Sequence, residues 1–208
     1  MVARQVFGEH LERVERYAAL LASAGVERGL LGPREVPRLW DRHLLNCGVL
    51  APLVPADASL CDVGTGAGLP GLVIALARPD VSVTLLDPLL RRADFLLEAV
   101  AELGVANACV VRARAEEHEG RYDVVTARAV APLGRLARVA IRLCRPGGSL
   151  WAVKGERAEE ELREAAPELP RWGVATWSVE KVGEGIVSPP TTIVRLIARS
   201  AGANRRRR

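Results

Sequence analysis

Twelve consecutive residues constrain this chain more than any others: Leu60-Cys61-Asp62-Val63-Gly64-Thr65-Gly66-Ala67-Gly68-Leu69-Pro70-Gly71. A short apolar run breaks into alternating glycines and then restarts, which is the pattern of a strand, a tight turn and a helix N-terminus. Glycines suit such a turn because a Cβ would block its backbone conformations and would keep a ligand away from the bare backbone. The free N–H groups of the first helical turn then point at whatever lies over it.

Two registers fit the turn. From Gly66, the pattern Gly66-x-Gly68-x-x-Gly71 matches the dinucleotide fingerprint, and Asp87 lies about 20 residues on, where a ribose-binding acid is expected. From Asp62, it reads acidic-x-Gly-x-Gly-x-Gly and resembles the first motif of class I S-adenosylmethionine (SAM) methyltransferases. Two details favour the second register. Asp62 at the strand end could accept bonds from a cationic amino-acid moiety but would repel a pyrophosphate. The glycines also begin directly after the strand, whereas the dinucleotide register leaves Gly64-Thr65 unexplained.

The 208 residues suffice for one substantial core with a small appendage, and 49% apolar content argues against disorder. No apolar run approaches the ~18 residues of a membrane span, so a soluble cytoplasmic protein without membrane association is expected. Cys47, Cys61, Cys109 and Cys144 form no C-x-x-C pair and read as buried reduced thiols. With His10, His43 and His118 at no ligand spacing, no metal site is expected. The net charge of +4 equals the charge of Arg205–Arg208, so the basicity resides in a terminal tail that reads as disordered and could aid non-specific RNA binding.

Along the chain, Phe7, Leu11, Val14, Ala18 and Leu21 define an amphipathic helix with Gly25 as its stop, and a second helix is predicted over Glu35–Leu53. Arg34, Arg38 and Arg42 at i,i+4 spacing would share one face of that helix, with His43 adjacent. A phosphate-contacting edge formed by Arg38, Arg42 and His43 is one reading, and a plain solvated face the other.

Strands follow at Ser59, at Val81–Asp87, at Ala108–Val111, at Asp123–Thr126 and at Ser149–Val153, with helices between them. The helix after Pro88 is expected to bury Leu89, Ala93, Leu96, Leu97 and Val100, and an acidic helix is expected over Glu156–Glu168. Thr176–Val182 and Thr191–Ala198 close the chain as a hairpin. Such alternation predicts an α/β Rossmann-like fold, a mostly parallel seven-stranded sheet ending in an antiparallel hairpin, with ligands at the carboxyl ends of the strands. The expected divisions are a helical appendage over 1–55, a SAM-binding domain over 56–200 and a basic tail over 201–208. Class I methyltransferases carry a terminal hairpin that dinucleotide dehydrogenases lack.

The resemblance extends beyond a superfamily. The glycine motif with its Leu-Pro-Gly ending, Leu86-Asp87-Pro-Leu-Leu-Arg-Arg-Ala-Asp-Phe95, Arg114-Ala-Glu116, Ala127-Arg128-Ala129, Lys154-Gly155 and Trp40-Asp-Arg-His-Leu-Leu-Asn46 are similar to the RsmG (GidB) family, particularly its actinobacterial branch. That family methylates N7 of one guanine in 16S ribosomal RNA. The resemblance implies that Asp62, Gly64, Gly66, Gly68 and Leu69 build the SAM turn, with Gly64 and Leu69 in contact. It further implies that Asp87 binds the ribose, that Ala115 and Glu116 meet the adenine, and that Arg128 stands over the site to position substrate. Lys154 is a weaker candidate. The implied partner is 16S rRNA or the small ribosomal subunit, bound by a monomer.

The residues themselves agree with a purine ring nitrogen as acceptor. Exocyclic amines usually go with an Asn/Asp-Pro-Pro-aromatic turn after the fourth strand, where this chain has Ala127-Arg128-Ala129-Val130, and pyrimidine C5 needs a thiolate. Guanine N7 offers a free lone pair and needs no general base, so alignment in a dry site supplies the rate. The alternatives are a nicotinamide-dependent oxidoreductase, a non-catalytic ribosome-binding module and a SAM enzyme acting on another RNA or a small molecule.

Overall fold

The computed structural model describes residues 1–200. The tail expected over 201–208 lies outside the described residues.

The chain opens with α1 (Val2–Phe7), a 3-10 turn over Gly8–His10 and α2 (Leu11–Leu20). The predicted amphipathic helix is therefore broken at Gly8, whose φ of 52° ends α1. It also runs past Gly25 through a π-type turn (Leu21–Gly25) as far as Glu27, so Gly25 is not its stop.

The helix predicted over Glu35–Leu53 is in fact a relay of short pieces. They are a 3-10 segment (Pro33–Arg38), a π-type segment (Leu39–Leu44), α3 (Leu45–Gly48) and a 3-10 turn (Ala51–Leu53). Pro37 inside the first piece explains the break, since it donates no N–H and its ring collides with the preceding turn. The α-helical stripe of Arg34, Arg38 and Arg42 consequently does not form, because i,i+4 alignment holds only at α-helical pitch.

The core then alternates β1 (Ser59–Val63), α4 (Gly71–Ala77), β2 (Ser82–Leu86), α5 (Leu90–Glu102), β3 (Ala108–Val111), β4 (Tyr122–Arg128), α6 (Leu133–Ala140), β5 (Cys144–Lys154), α7 (Ala158–Ala165), β6 (Val174–Val182) and β7 (Thr191–Ala198). One sheet has the order β3-β2-β1-β4-β5-β7-β6, parallel except for β7, which runs antiparallel to both of its neighbours. Arg145-Pro146-Gly147-Gly148 belongs to the start of β5, where the pairing with β4 shifts register.

Alternation of side chains along the strands splits the core in two. Leu60, Val83, Leu85, Val124 and Trp151 face α4, α5 and the N-terminal segment, while Cys61, Val63, Val125, Leu150 and Ala152 face α6 and α7. Phe7, Tyr17, Leu21, Leu44 and Leu50 share the first cluster with Leu72 and Leu76, so residues 1–55 are packed on the core. On α5 the buried residues are Ala93, Phe95, Leu96 and Ala99; Leu89 and Leu97, expected inside, are exposed. Cys109 is exposed on the edge strand β3, contrary to the expectation of four buried thiols. No helix among the described residues is long and apolar enough to cross a membrane.

Candidate active site: a cofactor cleft at the strand ends

The sheet reverses its direction of winding between β1 and β4, and a cleft opens there at the carboxyl ends of the strands. The glycine turn forms its floor. The Gly64 and Thr65 N–H groups donate to the Leu86 carbonyl at 2.8 and 3.2 Å, which ties the turn to β2.

Asp62 is fully buried beneath the turn. Its Oδ2 accepts the Thr65 hydroxyl at 2.6 Å and the Gly71 N–H at 2.8 Å, and its Oδ1 accepts the Thr126 hydroxyl at 2.8 Å. Burial pushes its carboxyl up to about 6, against the pull of those three donors and of Arg128. Asp62 therefore braces the turn from inside, and the expected contact with a cationic ligand moiety has no exposed carboxylate edge to use. Gly71 permits this arrangement, because a Cβ there would lie 2.6 Å from the Asp62 Cβ.

A second brace comes from the N-terminal segment. The Tyr17 hydroxyl, buried on α2, donates to the Ala67 carbonyl, and it sits 2.8 Å from where a Cβ on Gly68 would be. Leu69 turns into the core beside Leu72 and does not line the cleft.

The cleft itself has a volume of about 220 Å³, with Val63, Gly64, Leu86, Ala113, Ala115 and Val130 among its lining. Arg114, Glu116 and Arg135 supply its charged lining. A largely apolar slot with one carboxylate in its lining suits a heteroaromatic ring that carries an amino group. Val130 roofs the turn, its Cγ2 lying 2.8 Å from the position of a Gly64 Cβ, so any side chain at Gly64 would close the slot.

Asp87 stands at the end of β2. Its Oδ2 accepts the Gly66 N–H at 3.0 Å and the Arg92 guanidinium at 3.1 Å, while its Oδ1 accepts the Leu89 N–H at 3.0 Å ahead of α5. It thus links the glycine turn to α5, and its carboxylate lies buried beneath the partly exposed Arg92 side chain.

Arg128 ends β4, and one guanidinium nitrogen lies 2.9 Å from His43 Nδ1. Its charge acts on Tyr17, Cys47 and Asp62, so it lies where the N-terminal segment meets the turn. Lys154 is committed elsewhere: Nζ donates to the Ala131 carbonyl at 2.8 Å and pairs with Glu161 at 2.7 Å, holding the loop that follows Arg128. Lys154 is accordingly a support of that loop.

Of the expected RNA contacts, Arg38 is exposed, Arg42 pairs with Glu35 at 3.3 Å, and His43 turns inward between Glu35 and Arg128. Burial pushes the Cys47 thiol up to about 11 and the Cys144 thiol up to about 12, and the Cys61 thiol is raised for the same reason. Among the described residues, no cluster of three or more His, Cys, Asp or Glu side chains is placed to hold a metal ion.

Sequence reasoning missed Tyr17, Thr126, Val130 and Glu35. Tyr17 alone carried a signal, as one of two tyrosines in the chain and three residues after Val14 on the apolar helix face.

A sheet of this order, an apolar slot beside a glycine turn and an acid at the end of β2 define the class I SAM methyltransferase fold. Solved structures agree at the level of fold: a SAM-dependent methyltransferase from Aquifex aeolicus has a TM-score of 0.54 at 19% identity, over 88% of this chain and 97% of that one. TYW2 of M. jannaschii, solved in complex with AdoMet, has a TM-score of 0.57 at 15% identity, over 76% of each chain. Within that class the chain belongs to the GidB family, rRNA small subunit methyltransferase G, whose sequence profile matches residues 10–187. It is 57% identical over 197 residues to ribosomal RNA small subunit methyltransferase G of Streptomyces avermitilis, covering 93% of this chain and 83% of that protein. Its identity to the protein of the same name from Thermobifida fusca is also 57%, over 201 residues, covering 96% of this chain and 85% of that protein.

Proposed function

We propose that the protein transfers the methyl group of SAM to N7 of a guanine in 16S rRNA of the small ribosomal subunit, acting in the cytoplasm as a monomer. The observation that carries this reading is Arg128, held at the carboxyl end of β4 where the glycine turn meets the N-terminal segment, with its neighbour His43 committed to it as a hydrogen-bond acceptor and no thiolate activated beside it. Cys47, which feels the Arg128 charge, has its thiol raised well above neutral pH, which counts against covalent attack on a pyrimidine. Family membership adds ribosomal RNA as the substrate class.

Bound in the cleft, SAM supplies a sulfonium methyl group, which N7 takes with its own lone pair. The chain's residues then have three tasks. Ala115, Val130 and Leu86 exclude water from the slot, Asp62 and Tyr17 fix the turn, and Arg128 donates hydrogen bonds to a phosphate or to the guanine O6 edge. The positive charge passes from sulfur to the guanine, so no step needs Arg128 to give up a proton.

Small subunits from cells lacking this gene are expected to accept one methyl group per particle, mapped by borohydride–aniline cleavage at a 7-methylguanosine. Label at any other base would reject the reading. Arg128→Ala is expected to lower kcat/KM for the subunit by about 10- to 100-fold, the value of a charge-assisted hydrogen bond, with SAM affinity changed far less. Full methylation by the variant at limiting subunit concentration would remove Arg128 from the mechanism.

A further inference from the structure

The cluster Glu35–His43–Arg128 joins an irregular N-terminal segment to the end of β4. A guanidinium only donates hydrogen bonds, so His43 Nδ1, 2.9 Å from the Arg128 nitrogen, must be the acceptor. The ring proton then sits on Nε2, 2.9 Å from Glu35 Oε2, which accepts it. Each member thereby fixes the next: Glu35 selects the tautomer, and the tautomer presents a lone pair to Arg128. The side chain of His43 is only 13% exposed, so water does not compete for that lone pair.

We propose that Glu35 and His43 are positioning residues that hold Arg128 in its substrate-binding orientation, and that protonation of His43 releases it. The proposal rests on the guanine-N7 reading above, and it replaces the expectation that His43 touches RNA. An imidazolium has no acceptor, and its charge repels the guanidinium, so one proton both removes the bond and expels Arg128.

The charged groups acting on His43 are Glu35 and Arg42 from its own segment and Arg128 from β4. Burial, helped by Arg128 and Arg42, holds the imidazole below its ordinary value, while the bond to Glu35 opposes this. His43 is therefore neutral at neutral pH, and kcat/KM falls on acidification as it takes up a proton.

The test combines two measurements. The first is the pH profile of kcat/KM on small subunits over about pH 5 to 8. Glu35→Gln keeps an acceptor for Nε2–H but removes the carboxylate that raises the imidazole, so the acid limb is expected to move to lower pH. His43→Asn, which can place an oxygen near the Nδ1 position, is expected to abolish the limb and to recover part of the activity that His43→Phe loses, about tenfold or more. A limb unmoved by Glu35→Gln, or His43→Asn no better than His43→Phe, overturns the proposal. The second is the ring-nitrogen chemical shifts of histidine-labelled protein, in which only three histidines must be assigned. A protonated Nε2 and a bare Nδ1 are expected for His43, and a protonated Nδ1 at neutral pH overturns the proposal. If the wild type labels a base other than guanine N7 while these shifts hold, the reaction assignment fails and the relay survives.

Discussion

Asp62 shows how one buried side chain can be read from sequence in place but not in role. Its position after an apolar strand and before three glycines was visible; the Thr65 and Thr126 hydroxyls that surround it were not, because Thr126 arrives from β4 through sheet pairing. Its chemistry leads to a pH prediction. The folded carboxyl titrates at about 6 against an ordinary value of 3.8, so folding takes up a proton between those values. The stability this group contributes is full below about pH 4 and is lost as pH rises through about 6, amounting to about 3 kcal/mol. Asp62→Asn cannot titrate. The difference in unfolding free energy between wild type and Asp62→Asn is expected to shift by about that amount against the wild type between pH 4 and pH 7 in urea titrations. A constant difference would show that Asp62 ionises normally.

At the scale of elements, the strands were legible because extensive burial leaves short runs rich in β-branched and apolar residues, as in Ser82–Leu86 and Thr191–Ala198. The segment over 33–53 was not, because hydrophobic spacing reports which residues face the core and says little about 3-10, α or π pitch. Tertiary contacts decide the pitch there: the Thr191 hydroxyl on β7 bonds the Asn46 carbonyl, and Arg78 bonds the carbonyls of Ala51 and Val54. In the site, the glycine turn and Asp87 were readable, since local backbone needs set them. The supports of Arg128 were not, since they come from residues 85 positions away in sequence.

Lys154 belongs to this scale, joining β5, α7 and the loop after β4. Lys154→Ala leaves the Ala131 carbonyl without its Lys154 donor and the Glu161 carboxylate with the Leu133 N–H but no cation, and is expected to cost about 2 kcal/mol of stability. Glu161→Gln, which keeps an acceptor for the Leu133 N–H, is expected to cost less. Equal losses in thermal unfolding would place the effect in the ion pair alone.

For the whole molecule, the N-terminal helical pieces and the sheet differ in architecture, yet one apolar cluster runs through both from Phe7 to Ile193. Calorimetry of the full chain is expected to give a single transition whose midpoint rises with SAM concentration. Fluorescence of Trp40 in the N-terminal segment and of Trp151 in β5 should report the same midpoint. Two separated transitions would mean that the segment unfolds independently of the sheet.

The bond from Thr191 to Asn46 joins residues 145 positions apart, and this matters while the protein is being made. Translation to β7 takes about 10–40 s at ordinary rates, and until then the apolar underside of the N-terminal segment has no complete surface to rest on. Tyr17 and His43 ride on that segment, so the tie that β7 makes to Asn46, three residues past His43, completes the footing of the supports of the cofactor turn and Arg128. A chain released before β7 is therefore expected to carry the glycine motif without the Thr191 bond that anchors the segment bearing Tyr17 and His43.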